Sequence, residues 1–259
     1  NLNNPQIRAI RKLRKRRERE RRGAMLVEGR RALGVAIRAG SPVIELVHTP
    51  GAREKRLEMV RAVRASGAKV LEVSPEVMAS LTGVGSVPDV VGVVPLLESS
   101  LEEAASAFGF GAVLAGVHDP AAAGSILASC AAAGGSVAIG TTGTTDRFAP
   151  KPVRSAGGAH FLMRVAAGVD PTACAESLRS AGVRLVTLDP EGEDLATSTL
   201  SEPLAVVVGE EGSVPEPLAA SVLGRVRIGD PEAGIRPPLA AEAAVVLFEA
   251  GRRRRNGNG

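Results

Sequence analysis

Apolar residues follow two patterns along the chain, one with helical spacing and one of short continuous runs. Ile7, Ile10 and Leu13 within 6–22, and Leu57, Val60 and Val63 within 53–66, recur every three positions, which is typical of amphipathic helices. Short continuous apolar runs bounded by Gly, Pro or polar residues predict buried strands instead. In the first half, strands are predicted at 25–27, 43–48, 70–73 and 90–94, with further helices at 30–38 and 75–81. This alternation predicts a three-layer α/β unit with a mostly parallel sheet.

The second half shows the same alternation of elements and no internal repeat. Its predicted strands are 112–116, 137–140, 161–165, 184–188, 204–208 and 226–228, and its predicted helices are 120–133, 152–156, 171–181 and 238–250. Between the halves, Ser100 and Glu103 form a capping pattern typical of a helix start. We therefore expect an N-terminal domain over 1–95, a linker containing a helix over 96–110, and a C-terminal domain over 111–259.

Composition narrows the class of protein. The 259 residues suffice for two ordinary domains, and 44% hydrophobic with 23% charged residues is typical of globular proteins. No apolar run reaches the roughly 18 residues that cross a bilayer, so no membrane association is expected. Two cysteines, Cys130 and Cys174, favour a reducing cytoplasm. Three histidines far apart in sequence predict no metal site.

Positive charge is concentrated at the two ends of the chain. Residues 1–22 hold ten Arg or Lys and two Glu, and four Arg follow at 252–255, so the net charge of +4 leaves about −8 between these ends. A basic arm favours nucleic acid, although a solvated helix with a frayed basic tail has the same composition. Because Trp and Tyr are absent, RNA would be contacted through phosphates rather than by base stacking. The candidate contacts in the arm are Arg8, Arg11, Lys12, Arg14, Lys15, Arg16, Arg17, Arg21 and Arg22.

Four motifs of the second half resemble a known family in their order and spacing. They are VHDPAAAGSILASCAAAG (117–134), DRFAPKPVRSAGGAHF (146–161), LAVVVGEEGSV (204–214) and VRIGDPEAGIRPPLAAEAAVVLFEA (226–250). They resemble the patterns DPxNxGxxxRxAxAxG, SPKxxRASxGAxF, GNEG and IPMxGxxxSLNVsxAxxixlyE of the SpoU (TrmH-type) RNA 2′-O-ribose methyltransferases of the SPOUT superfamily. Residues 4–29 resemble the start of the L30e-like substrate-binding domain that accompanies them.

The resemblance implies a trefoil-knotted C-terminal domain, a homodimer formed through it, and a ribose 2′-hydroxyl of ribosomal RNA as substrate. S-adenosylmethionine is implied as the cofactor, held largely by backbone groups of the third and fourth motifs. The implied cofactor positions are Thr141, Val208, Gly209, Glu210, Glu211, Gly212, Ile228 and Pro238. Arg154 would contact RNA phosphate or pair with Glu211.

The positions that handle the reacting hydroxyl in the family differ here. The Asn and Arg of the first motif are Ala122 and Ala128, the Asn of GNEG is Glu210, and SLN is replaced by 236–238, which ends in Pro238. Glu210 adds negative charge beside the expected cofactor. No catalytic residue is assigned at these substituted positions, and His118 and His160 are interpreted as loop or packing residues.

Two hypotheses remain open from the sequence. The protein is a methyltransferase of doubtful activity, or it is a catalytically inactive, RNA-binding pseudo-methyltransferase. A weaker third hypothesis is that the altered pocket binds another small molecule.

Overall fold

A computed structural model describes residues 2–50, 54–82, 87–210 and 214–257. The chain divides into two compact units, one formed by 1–96 with 148–161 and the other by 97–147 with 162–259. Up to residue 95 the elements are α1 (Pro5–Lys12), α2 (Arg16–Arg22), β1 (Ala24–Glu28), α3 (Arg30–Arg38), β2 (Glu45–His48), α4 (Glu54–Ala65), β3 (Lys69–Glu72), α5 (Pro75–Thr82) and β4 (Val90–Pro95). They continue as β5 (Glu98–Ser99), α6 (Leu101–Ser106), β6 (Phe110–Ala115), α7 (Pro120–Ala133), β7 (Val137–Thr141), α8 (Pro150–Ser155), β8 (Arg164–Val169), α9 (Pro171–Ser180), β9 (Arg184–Asp194), β10 (Leu204–Gly209), α10 (Glu216–Ala219), β11 (Val222–Arg227) and α11 (Leu239–Arg255).

The first unit has a four-stranded sheet in the order β1-β4-β2-β3. Only β2 and β3 pair in parallel, because β4 returns between β1 and β2 and runs antiparallel to both. The prediction of a mostly parallel sheet was therefore wrong for this unit. Its three layers are present: α1 and α5 pack on one face through Ile10 and Met78, and Leu33 of α3 lies against Gly92 on the other.

The basic arm forms two helices instead of the single predicted helix over 6–22. The apolar residues at 7, 10 and 13 are buried, as their spacing predicted. The helix is interrupted after Lys12 because the side chain of Arg19 turns inward, where its Nη1 donates to the carbonyls of Leu13 at 2.9 Å and Arg14 at 3.0 Å. Satisfying these carbonyls from a buried arginine stabilises the break between α1 and α2.

The second unit has a seven-stranded sheet in the order β11-β9-β10-β6-β7-β8-β5, and every pairing in it is parallel. On one face, α7 and α11 pack through Ile126 and Val246. The opposite face is covered by α6, α9 and α10, with Leu178 and Leu218 in its core. The mixed α/β class with a parallel sheet is confirmed.

Several element bounds differ from the sequence-based ones. The predicted strand at 161–165 is a 3₁₀ turn at Ala159–Phe161 followed by β8, because Gly157 and Gly158, at φ of +58° and +105°, turn the chain before it can extend. Ser100 and Glu103 form the predicted capping box. The expected linker contains β5 and α6, which belong to the second unit, and residues 148–161 group with the first.

The helices that the structure describes include none long and apolar enough to cross a membrane.

Candidate functional site

The carboxyl ends of β6 and β10 form a switch point of the sheet, because the chain leaves these neighbouring strands toward opposite faces. These strands are neighbours, with Gly209 beside Ala115. After β6 the chain enters α7 on one face of the sheet, and after β10 it reaches α10 on the other. In open parallel sheets, ligands bind at such a switch point, outside the carboxyl ends of the strands.

His118 and Glu210 meet at this switch point. Oε1 of Glu210 accepts the backbone N–H of His118 at 3.1 Å, and Oε2 lies 3.4 Å from the Nδ1 atom of its ring. Both side chains remain accessible, with exposed fractions of 66% for His118 and 44% for Glu210. The contact joins the loop after β6 to the loop after β10, and it was not predicted from the sequence.

The start of α7 is capped by the side chain of Asp119. The carboxylate of Asp119 accepts the N–H groups of Ala121 at 3.0 Å and Ala122 at 3.2 Å, as an N-cap does. Ala122 packs against the core of the second unit. Neither Ala122 nor Ala128 has a side chain that can donate, accept or carry charge.

A cavity of about 350 Å³ is lined by residues 188–191, 226–228, 234–237, Asp230 and Glu242. Ion pairing shapes its wall: Nε of Arg236 lies 3.0 Å from each carboxylate oxygen of Glu242, which is 8% exposed. Asp189, Glu191 and Asp230 also line it. The sequence signal for this pair is Glu242 itself, which stands where the family pattern SLNVsxA has Ala.

Of the implied cofactor positions that the structure describes, Ile228 lines this cavity, whereas Thr141, Val208 and Gly209 lie at the ends of β7 and β10. Thr141 is fully buried, and its hydroxyl lies within hydrogen-bonding distance of the carbonyls of Leu114 and Thr142. Val208 is buried at the end of β10, beside the partly exposed Gly209, and Pro238 is the exposed N-cap residue of α11. Glu211 and Gly212 lie outside the described residues.

The basic arm separates into paired and unpaired cations. Arg16 pairs with Glu20 and Arg21 with Glu18, whereas Arg22 reaches Glu45 of β2 at 3.0 Å. Within the described parts of the chain, the remaining candidate contacts make no side-chain hydrogen bond or ion pair; they are Arg8, Arg11, Lys12, Arg14, Lys15 and Arg17. The cations without such partners therefore lie mainly on α1 and in the turn that follows it.

Arg154 pairs with a carboxylate that the sequence did not suggest. Its Nη1 lies 3.0 Å from Oε2 of Glu28 in β1, whereas the expected partner Glu211 lies outside the described residues. Burial raises the pKa of Glu28, although the positive charge of Arg154 acts in the opposite direction.

The C-terminal arginines continue α11 and are not a frayed tail. Arg253 donates to the carbonyls of Leu195 and Ser198, and Arg254 to that of Gly134. These bonds fasten the end of α11 to neighbouring loops, so part of the C-terminal charge is structural.

Comparison with known proteins identifies relatives over nearly the whole chain. Two family models match: the MRM3-like substrate binding domain over residues 4–91 and the SpoU rRNA Methylase family over residues 110–228. The 23S rRNA (uridine(2479)-2′-O)-methyltransferase of Streptomyces viridochromogenes is 30% identical, over 93% of this chain and 87% of that protein. The 23S rRNA (guanosine(2553)-2′-O)-methyltransferase RlmP of Bacillus subtilis (strain 168) is 25% identical, over 81% of each.

Solved structures agree with these matches. The SpoU methyltransferase AviRb of Streptomyces viridochromogenes in complex with AdoMet has a TM-score of 0.83 and 25% identity, covering 97% of this chain and 98% of its own. The AdoMet-bound rRNA methyltransferase of Sinorhizobium meliloti has a TM-score of 0.82 and 28% identity, covering 98% and 96%. The resemblance found in the sequence motifs is thus confirmed.

Proposed function

Because this chain belongs to the SpoU rRNA methylase family, we propose that it transfers a methyl group from S-adenosylmethionine to a ribose 2′-hydroxyl of ribosomal RNA. The observation that carries the proposal is the β6/β10 switch point, with a cavity at the same edge of the sheet. The substitutions at Ala122, Ala128 and Pro238 remove polar groups that would contact the 2′-hydroxyl. The β6/β10 switch point and the cavity are present despite them.

The chemistry of the cavity fits S-adenosylmethionine. Its volume of about 350 Å³ lies at the small end of the range of ligand pockets. Ile228 offers an apolar surface to the adenine ring, and the carboxylates of Asp189, Glu191 and Asp230 suit the sulfonium, the ammonium group and the ribose hydroxyls. When bound, the cofactor supplies an electrophilic methyl group, so the chain has mainly to position the nucleophile and remove its proton.

RNA would be held by the basic arm. The exposed cations at the end of α1 and in the turn after it are free of internal ion pairs, which leaves them to phosphate groups. Arg21, Arg22 and Arg154 are held by carboxylates in the protein and contribute less. Ribosomal RNA is proposed as the substrate because the named relatives act on 23S rRNA.

A homodimer, a trefoil knot in the second unit and a cytoplasmic location complete the proposal. Support for the dimer comes from an apolar groove of about 670 Å³ beside α11, where Val245 and Phe248 are about half exposed. The likeness to SpoU structures supports the knot. Two buried cysteines without a disulfide suit a reducing compartment.

A second candidate function is RNA binding without methyl transfer. It is favoured by one specific observation: Ala122 and Ala128 present only methyl groups on α7, where the family pattern has Asn and Arg. Methyl transfer by this chain requires that it bind S-adenosylmethionine, whereas RNA binding without methyl transfer does not.

Calorimetry with S-adenosylmethionine and S-adenosylhomocysteine separates these two functions. We expect saturable binding of both ligands to the full chain. Absence of binding at high protein concentration, together with intact RNA binding, would establish the second candidate instead.

A further inference from the structure

Methyl transfer to a ribose hydroxyl needs a proton acceptor, and the substituted positions Ala122, Ala128 and Pro238 cannot supply one. Ala122 and Ala128 have no titratable group. Asp119, the nearest carboxylate on α7, is committed to the N–H groups of Ala121 and Ala122. The ionisable side chains that the structure places together at the β6/β10 switch point are His118 and Glu210.

The geometry of this pair defines which ring nitrogen is available. An ionised carboxylate only accepts hydrogen bonds, so the ring must donate its Nδ1–H to Oε2 of Glu210, 3.4 Å away. The same carboxylate also accepts the backbone N–H of His118 through Oε1. The Glu210 carboxylate thus holds both the backbone N–H and the ring of His118. Because the proton of the neutral ring is on Nδ1, the lone pair that can accept a proton is on Nε2. Two-thirds of the His118 side chain is exposed, so a ligand can reach it.

We infer that His118, oriented by Glu210, is the general base of the reaction; this inference rests on the proposed function. Nε2 accepts the proton of the 2′-hydroxyl as the oxygen forms its bond to the methyl carbon. The carbon–sulfur bond breaks, and its electron pair stays on sulfur, so the sulfonium becomes a neutral thioether. The positive charge moves to the imidazolium, where the Glu210 carboxylate stabilises it.

Glu210 gains a function in this arrangement that its sequence position alone did not suggest. It stands at the Asn of the family's GNEG turn, where an amide could donate and accept hydrogen bonds but could not balance an imidazolium. His118 and Glu210 therefore replace the substituted polar residues as a pair, and each is useful only with the other. Glu210 is a positioning residue, and His118 contacts the substrate.

Single-turnover transfer with the full chain, S-adenosylmethionine and RNA tests the base. His118→Ala is expected to lower the rate of the chemical step by about 10²- to 10⁴-fold, with the dissociation constant of S-adenosylmethionine unchanged. Added imidazole should restore part of the rate, which it cannot do for a purely structural role. His118→Gln, which can still donate to Glu210, should remain slow. Glu210→Gln, which cannot balance the imidazolium, should also slow the chemical step. Glu216→Gln changes an exposed carboxylate at the start of α10 and is its matched control, which should keep the rate.

A second readout needs no activity. The chain has only three histidines, so ¹⁵N NMR of the ligand-free protein resolves each ring, with His48 and His160 as internal references. We expect the Nδ1–H tautomer at His118 and its loss in Glu210→Ala, which removes the acceptor. A predominant Nε2–H tautomer at His118 would overturn the inference.

The outcomes separate the inference from the proposed function. If the unchanged protein transfers methyl groups and His118→Ala is equally fast, only the general base is rejected. If the unchanged protein binds RNA but never transfers a methyl group, both are rejected.

Discussion

Glu28 and Arg154 form an ion pair of 3.0 Å between β1 and α8, within the first unit. Glu28 is nearly buried, whereas about a third of the Arg154 side chain is exposed. Neither oxygen of Glu28 accepts a hydrogen bond of good geometry in the described chain, so the guanidinium is its main compensation. The pair thereby fastens α8, which belongs to the motif over 146–161, to β1 of the first unit. This is a structural role for an arginine that the sequence assigned to RNA.

Removing Arg154 should destabilise the protein in a pH-dependent way. Burial raises the pKa of Glu28, so its contribution to stability is present at acid pH and is lost as pH rises through the raised pKa. Arg154→Ala removes the opposing charge and should cost about 1–3 kcal/mol at neutral pH, but little at a pH where Glu28 is protonated. Urea unfolding across this range measures the effect, with Lys151→Ala on the same helix as control. A loss that is equal at every pH would contradict this account.

The Arg236–Glu242 pair should support cofactor binding. Arg236→Ala leaves the carboxylate of Glu242 buried in the cavity wall without the Nε–H that both of its oxygens accept. We expect the affinity for S-adenosylhomocysteine, measured by calorimetry, to fall about tenfold, which corresponds to roughly 1.4 kcal/mol. Arg164→Ala removes an exposed arginine of the same unit and should leave the affinity unchanged. Equal affinities for both variants would exclude a role for the pair.

The unpaired cations of the arm should dominate RNA affinity. Replacing Arg14, Lys15 and Arg17 by Gln is expected to weaken binding and to reduce the slope of log K against log salt by about 2, at roughly 0.7 per phosphate contact. Gln at Arg61, Arg64 and Lys69 removes three exposed charges from the same unit and is the matched control. An equal reduction in both triple variants would indicate a general effect of net charge.

The groove beside α11 should be the dimer interface. Phe248→Asp places a charge on the exposed apolar face formed with Val245, and the protein should then sediment as a monomer. Leu223→Asp changes an exposed leucine on β11, away from that groove, and should leave the sedimentation unchanged. Dimers that persist in Phe248→Asp would place the interface elsewhere.

Local signals in the sequence predicted individual elements well. The bounds of α3 and α7 agree with prediction, because each is set by nearby residues, such as the Asp119 cap and the left-handed Gly134 that end α7 on either side. The direction of strands in the first unit was not predictable. A continuous apolar run such as β4 is compatible with both parallel and antiparallel pairing, and only the structure shows that β4 is antiparallel to β1 and β2. The motifs also located the second unit and its parallel sheet.

Contacts between distant residues were beyond the sequence. Glu210 meets His118 only because β6 and β10 are neighbours in one particular register, across 92 positions of the chain. Arg154 likewise finds Glu28 through the packing of α8 on β1. The motif comparison showed which polar residues are substituted, whereas the structure showed that His118 and Glu210 are in contact between the loops after β6 and β10.

Methyl transfer to RNA is the most direct test of the central claim. The full chain is incubated with S-adenosylmethionine carrying a labelled methyl group and with unmodified ribosomal RNA, and the digested nucleosides are analysed by mass spectrometry. The account predicts label on the ribose 2′-oxygen of a defined nucleotide. RNA that binds the protein yet carries no label, or label on a base, would contradict it.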